Sequence, residues 1–258
     1  MAPVPIYVVR EDMVPRRIER LGEWRPERRV LALEREGSSL GGDRPKIVTA
    51  KWLFKYSPPL SSELGARWAD LLRTEALCAA VLRAHSIFAT ESEVVVVNQR
   101  VYLRVRRYDR IESRGRRGAT TLYFYAMDRL GDVSLPAPEV VRTLVSDGHL
   151  PDSAFDTCSR IHEFSLAIGN TDAHLGNYGL TFDERGQASL APAFDVLPMV
   201  FAPRNDELPD AYVQPRSSPI PERTRPLVED LARRIDADHD ISAAFKVLWH
   251  RYTALPKK

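Results

Sequence analysis

The sequence predicts an α+β protein of two lobes, a small β-rich lobe followed by a mainly helical one. Up to residue 108 the apolar residues fall in short β-type runs around one long helical pattern. From Asp109 onward the helical period dominates, broken by one pair of β-type runs, Tyr178–Phe182 and Ala188–Ala191, on either side of the polar turn Asp183-Glu184-Arg185-Gly186. A chain of 258 residues with 44% hydrophobic content is long and apolar enough for two such lobes.

Taken in order, residues 1–36 hold two short apolar stretches, Ile6–Val9 and Val30–Leu33, around the charge-rich Arg16–Arg29, too little for a core of their own. The first lobe spans 37–112. It begins with a glycine-rich stretch, continues as a β-type run over Ile47–Tyr56, and reaches a helix opened by Ser61-Ser62-Glu63. That helix runs to about Ala84, with Leu64, Trp68, Leu71, Leu72, Leu77 and Val81 broadly on one face. Val94–Val97 and Val101–Tyr108, split by Asn98-Gln99-Arg100, read as a hairpin. The second lobe spans 113–258, entered through a flexible basic link, Ser113–Gly118. Helices follow over Pro138–Ser146 and Asp152–Ile168, closed by Gly148 and Gly169. The proline-rich stretch 198–226 reads as a surface loop, and helices over Pro226–Ile235 and Ile241–Tyr252 finish the chain.

Composition narrows the function classes. The net charge is +2, and 31 Arg against 6 Lys are spread along the chain without a basic block, which argues against direct nucleic-acid binding. Cys78 and Cys158 sit in apolar helical patterns without ligand spacing and read as buried free thiols of a reducing compartment. No apolar run reaches membrane-span length and the first residues lack a signal-peptide pattern, so the expectation is a cytoplasmic protein without membrane contact.

The chemistry is concentrated in Asn170-Thr171-Asp172-Ala173-His174-Leu175-Gly176-Asn177 and, eighteen residues after Asn177, Asp195. Phosphoryl transfer needs a carboxylate to orient the acceptor hydroxyl, an amide oxygen on a metal, and a second carboxylate joining metal to phosphates. Protein kinases place them as Asp, Asn five positions later, then Asp, and Asp172, Asn177 and Asp195 follow that order. The hairpin between them returns Asp195 towards Asn177, and both offer the oxygen that Mg²⁺ prefers. Lys55, in an apolar strand with Leu53 on its face, needs an anion, either a nucleotide phosphate or Glu75 on the long helix. Lys46 competes for that role, although Pro45 beside it favours a loop. His162-Glu163 fails as a zinc motif, because position 166 is Leu.

Five segments in order resemble one family. Ile168–Asn177 and Leu190–Met199 resemble the catalytic and metal-binding segments of HipA-like serine/threonine kinases, the toxins of bacterial toxin–antitoxin pairs, and their YjjJ-type branch. Gly37–Lys46 is similar to that family's glycine-rich phosphate loop, Trp52–Ser57 to the strand carrying its nucleotide lysine, and Leu103–Arg110 to the strand leading to its interlobe hinge. The glycine-rich stretch is not a Walker A motif, since no Gly-Lys-Ser/Thr follows.

The resemblance implies a kinase-like fold, ATP and Mg²⁺ as cofactors, Asp172 as the catalytic base, and Asn177 and Asp195 as metal ligands. It places Gly37, Ser38, Ser39, Leu40, Gly41, Gly42, Lys55, Glu75, Arg106, Tyr108 and His174 around the nucleotide. Arg106 departs from the family, which tends to an acidic residue there, and His174 is expected to steady the catalytic loop. Ser39, then Ser38, matches the loop serine that such kinases autophosphorylate. The implied partners are a protein substrate such as an aminoacyl-tRNA synthetase and a small DNA-binding antitoxin. Relatives carry a substantial N-terminal subdomain, for which 36 residues are few, so a separate small protein is a further expected partner. A pseudokinase acting as a binding module and a small-molecule kinase remain open beside the protein kinase. Phosphate transfer to protein, to a small alcohol, or to neither discriminates the three.

Overall fold

A computed structural model describes residues 46–49, 51–111 and 115–254. The glycine-rich stretch with Ser38 and Ser39, and all of 1–36, lie outside the described residues.

The first lobe is an antiparallel sheet laid on one helix. Strands β1 (Lys46–Val48) and β2 (Trp52–Tyr56) are followed by helix α1 (Glu63–Ala84), then β3 (Ser92–Val97) and β4 (Arg100–Arg106), in the sheet order β1-β2-β4-β3. Strand alternation sorts the side chains: Leu53, Val94, Val101, Leu103 and Val105 pack on Ala69, Leu72 and Ala76 of α1. Phe54, Tyr56 and Tyr102 form a second cluster with Ile47 and Trp52 on the other face. α1 starts where the Ser62 hydroxyl accepts the Gly65 N–H at 3.0 Å. Asn98 and Gln99, at φ 46° and 61°, supply the two left-handed residues of the β3–β4 turn.

Two expectations need correction here. Ile47–Tyr56 is not one strand but two, because the Thr49 hydroxyl accepts the Trp52 N–H at 3.1 Å and folds the run into a hairpin. Lys46 is not in a loop either; it opens β1 directly opposite Lys55. A proline before the first residue of an edge strand removes no bond that the strand needs.

Ser113 and Arg114 of the stretch read as a flexible link lie outside the described residues, and its later part forms strand pairs. β5 (Arg110–Ile111) pairs with β6 (Gly115–Arg116), and β7 (Gly118–Thr121) adds a third strand to the expected hairpin of β8 (Gly179–Phe182) and β9 (Ala188–Leu190). Helix α2 (Leu122–Tyr125) continues as a π turn over Ala126–Leu130, and α3 (Ala137–Ser146) packs against α4 (Asp152–Ala167). Helices α5 (Arg225–Ala237) and α6 (Ala243–Thr253) complete the lobe around a core that includes Phe164, Ile168, Leu231, Phe245 and Trp249.

The stretch 198–226 does not merely lie on the surface. Phe201, Ala202 and Val213 enter that core, and an irregular segment has no periodicity by which a sequence could announce it. Cys78 and Cys158 are both buried and free, as expected. No helix among the described residues is long and apolar enough to cross a membrane.

Candidate active site

Alternation in β2 turns Lys55 towards α1, where Glu75 meets it. Lys55 Nζ donates to Glu75 Oε1 at 2.7 Å and to Asp195 Oδ1 at 2.5 Å. Asp195 is brought there by the chain just before it: Ala193 forms a parallel bridge with Ala89, donating to Phe88 O and accepting from Thr90 N, both at 2.9 Å. Phe194 then stacks on Tyr108, ring centroids 5.4 Å apart. Asp195 itself has φ 57°, a left-handed conformation uncommon outside glycine, which Asp tolerates better than most residues.

Burial works against charge in all three groups, and the outcome differs for each. Lys55 is raised above its ordinary value, since Asp195 and Glu75 outweigh burial. Asp195 is held below its ordinary value, because Lys55 and Lys46 overcome the desolvation that pushes it up. Glu75 goes the other way. Burial lifts it to about 7 despite Lys55, and its Oε2 is buried without a hydrogen-bond partner among the described residues.

The loop that carries Asp172 follows the end of α4. Gly169, at φ 80°, makes the turn, and a side chain there would collide with Val200 Cγ1 at 2.6 Å and Tyr252 at 2.9 Å. Asn170, buried, accepts the Asp172 N–H at 3.1 Å through Oδ1, while its Nδ2 lies 3.5 Å from the Asp195 carbonyl oxygen. One amide thus ties the Asp172 loop to the Asp195 segment. Asn177 Nδ2 donates to the Asp172 carbonyl at 2.8 Å, which orients the Asn177 side chain. The Asp172 carboxylate is 52% exposed and left facing solvent. His174 lies on the same loop: its Nδ1 accepts the Gly176 N–H at 3.0 Å, and its Nε2 lies 3.5 Å from Asp172 Oδ1.

A cleft of about 300 Å³ opens beside these groups, lined by Lys46, Lys55, Glu75, Thr171, Asp172 and Asp195 together with apolar side chains of α1 and of the segment after Asp195. No cluster of three His, Cys, Asp or Glu that could hold an ion occurs among the described residues. The Asp195 carboxylate in the cleft is an oxygen donor of the kind Mg²⁺ takes, an ion commonly held by one or two carboxylates plus substrate phosphates.

Arg106 is not brought to the site. It lies opposite Trp52 on the face of the sheet away from Lys55, and its Nη1 donates to Glu91 Oε2 at 3.0 Å, because period-2 alternation sends positions 104 and 106 to that face. Tyr108 instead supports Asp195 from behind through Phe194, and burial lifts its hydroxyl to about 12. Gly179 permits this packing, since a Cβ there would meet the Tyr108 hydroxyl at 2.9 Å. Sequence reasoning passed over Asn170, whose role needs the Asp195 segment beside it. Lys46 was legible in type but not in place.

The family description "HipA-like C-terminal domain" matches residues 38–242. Toxin YjjJ of Escherichia coli (strain K12) is 29% identical over 246 residues, covering 89% of this chain and 54% of that protein, so the chain spans about half the length of this curated relative. A chain of the solved Shewanella oneidensis MR-1 complex of HipA, HipB and operator DNA superposes at a TM-score of 0.53 with 14% identity, covering 84% of this chain and 63% of the other. The Helicobacter pylori proinflammatory kinase CtkA is matched more loosely, at a TM-score of 0.47 and 10% identity, over 84% of this chain and 89% of that one. With a sheet-and-helix first lobe and a helical second lobe, and with the family description matching residues 38–242, the chain belongs to the HipA-like C-terminal domain family.

Proposed function

We propose that the chain is an ATP- and Mg²⁺-dependent serine/threonine protein kinase of the HipA-like toxin type. The observation that carries this reading is Lys55 held between Glu75 and Asp195, the lysine–glutamate pair of a protein kinase closed onto the metal-binding aspartate. Asp195 and Asn177 would hold Mg²⁺, which supplies charge neutralisation at the phosphates. Lys55 donates to a phosphate oxygen once nucleotide loosens its bond to Asp195, and Glu75 keeps the ammonium in position. Asp172, exposed at the cleft, accepts the proton of the incoming serine hydroxyl and aligns its oxygen for in-line attack. Asn170 and His174 hold the Asp172 loop while this happens.

The finer parts of the reading rest on family likeness. They are a protein serine as acceptor, on an aminoacyl-tRNA synthetase, a DNA-binding antitoxin as partner, and autophosphorylation at Ser39 or Ser38. The antitoxin is supported by the Shewanella neighbour, whose complex includes HipB and operator DNA. Incubation with labelled ATP and Mg²⁺ tests the reading directly, with a synthetase, casein and small alcohols as acceptors. Transfer to protein is the expected result. Nucleotide binding without transfer would make the chain a binding module, and transfer to alcohols alone a small-molecule kinase. Mass spectrometry of the same reaction locates phosphate on Ser39 or Ser38, and an active enzyme lacking it removes autophosphorylation from the proposal.

A further inference from the structure

The segment after Asp195 is fastened to the helix that carries Glu75. Arg67, buried in the first turns of α1, donates from Nη1 to Asp210 Oδ1 at 2.7 Å and from Nη2 to Asp210 Oδ2 at 2.9 Å. The same Nη1 donates to the carbonyl of Phe201 at 3.1 Å, and the guanidinium lies 6.0 Å from the Phe245 ring centroid. Arg251 donates to the carbonyl of Asp210, so the carboxylate is held from its own backbone as well. A bidentate arginine fork fixes direction as well as distance.

α1 has a second bolt. The Asp70 carboxylate accepts the Ser242 N–H at 2.9 Å and its hydroxyl at 2.6 Å, joining the helix to the start of α6. Glu75 lies eight residues beyond Arg67, about 12 Å along a rigid helix. Fixing Arg67 and Asp70 against the second lobe therefore fixes Glu75 against Lys55.

In many kinases this work is done by phosphorylation: a phosphate on the segment after the metal-binding aspartate recruits an arginine and orders the segment. Here the sequence from Val196 to Arg216 contains no serine or threonine, its single tyrosine, Tyr212, is exposed, and an unmodified aspartate already occupies the arginine fork. We propose that Arg67 and Asp210 are positioning residues forming a built-in activation lock, which holds the Lys55–Glu75 pair assembled without covalent modification of that segment. Control of such an enzyme has to act elsewhere, on nucleotide entry or through a partner. The consequence for rate rests on the kinase reading; the consequence for α1 does not.

The test uses the full chain, treated with phosphatase and verified free of phosphate by mass spectrometry. Amide hydrogen exchange over residues 63–84 is compared in the wild type, Asp210→Asn, Arg67→Gln and Asp210→Glu, with Arg223→Ala as a control that removes the distant ion pairs to Asp156 and Glu163. Asp210 is 40% exposed, so Asp210→Asn takes one charge from a site that water already reaches. The phosphate-free wild type should protect α1. Asp210→Asn and Arg67→Gln should exchange at least about tenfold faster there, and the control should match the wild type. Transfer rates of these two variants should fall by about ten- to a hundredfold, the scale of a remote misplacement, with partial recovery in Asp210→Glu. Unchanged exchange in Asp210→Asn and Arg67→Gln overturns the lock, as does a wild type that protects α1 only when phosphorylated. If no form transfers phosphate yet the exchange pattern is as expected, the lock stands and the kinase reading fails.

Discussion

Lys55 carries one positive charge between two carboxylates, and those carboxylates respond differently: Lys55 and Lys46 outweigh burial at Asp195, while burial and the Asp195 charge prevail at Glu75. Asp195 stays ionised beside Lys55 and Lys46, whereas Glu75 leaves one oxygen buried without a partner among the described residues and is lifted to about 7. Between its ordinary 4.5 and about 7, Glu75 in the folded chain keeps a proton that the unfolded chain has released. Stability from this group is fully present below 4.5 and is lost as pH rises through about 7. The slope for one proton is about 1.4 kcal/mol per pH unit. Glu75→Gln should remove that slope, and urea midpoints of the nucleotide-free protein at several pH values across the window measure it; an identical pH profile in the variant refutes the assignment. Asp172 has a different character, half exposed and joined to the loop through its backbone. Asp172→Asn should therefore keep nucleotide affinity in calorimetry while single-turnover transfer falls by at least about a hundredfold. Transfer at the wild-type rate would take the base role away from Asp172.

Elements built from local signals are the ones the sequence makes legible. α1 begins at the Ser62 cap and runs to Ala84, and β3 and β4 part at Asn98-Gln99, because caps and left-handed turns act within a few residues. Asp172, Asn177 and Asp195 are legible for a related reason: their order reflects a loop, a hairpin and a return, all close in sequence. What escapes the sequence is contact made across distance. β7 pairs with β8 some sixty residues later, and Arg67 finds Asp210 after 143 residues, with no periodicity linking either pair. Arg106 fails for a simpler reason, since likeness to a hinge strand does not say which face an alternating residue occupies. Gly169 shows how one residue joins two elements: it ends α4 at φ 80° and lets Val200 and Tyr252 approach where a Cβ would stand. Gly169→Ala should cost about 2–4 kcal/mol, combining left-handed strain with overpacking. Urea denaturation reads the loss, and a change below about 0.5 kcal/mol, the scale of an ordinary surface substitution, would show that the turn relaxes freely.

Across the whole molecule the cleft is assembled from parts that have no reason to meet except through it. Lys55 comes from the sheet, Glu75 from the helix behind it, and Asp195 from a segment pinned to the first lobe at Ala89 and to the second by its continuation into Phe201. A ligand that bridges these groups binds only the folded chain and stabilises it by mass action, about 2.7 kcal/mol at a hundredfold excess over Kd. For a chain of this size that corresponds to a rise in Tm of roughly 5–10 °C. ATP with Mg²⁺ should produce such a rise, and ATP with chelator much less, because the phosphates then face the ionised Asp195 without a metal between them. Asp195→Ala should remove most of the metal-dependent part while leaving Lys55 paired to Glu75, so the variant folds and its unliganded Tm stays measurable. Thermal melts of both proteins under the three conditions separate the terms: an undiminished Mg²⁺-dependent shift in the variant places the metal on other ligands, and a shift absent from the wild type denies that the cleft takes metal nucleotide at all.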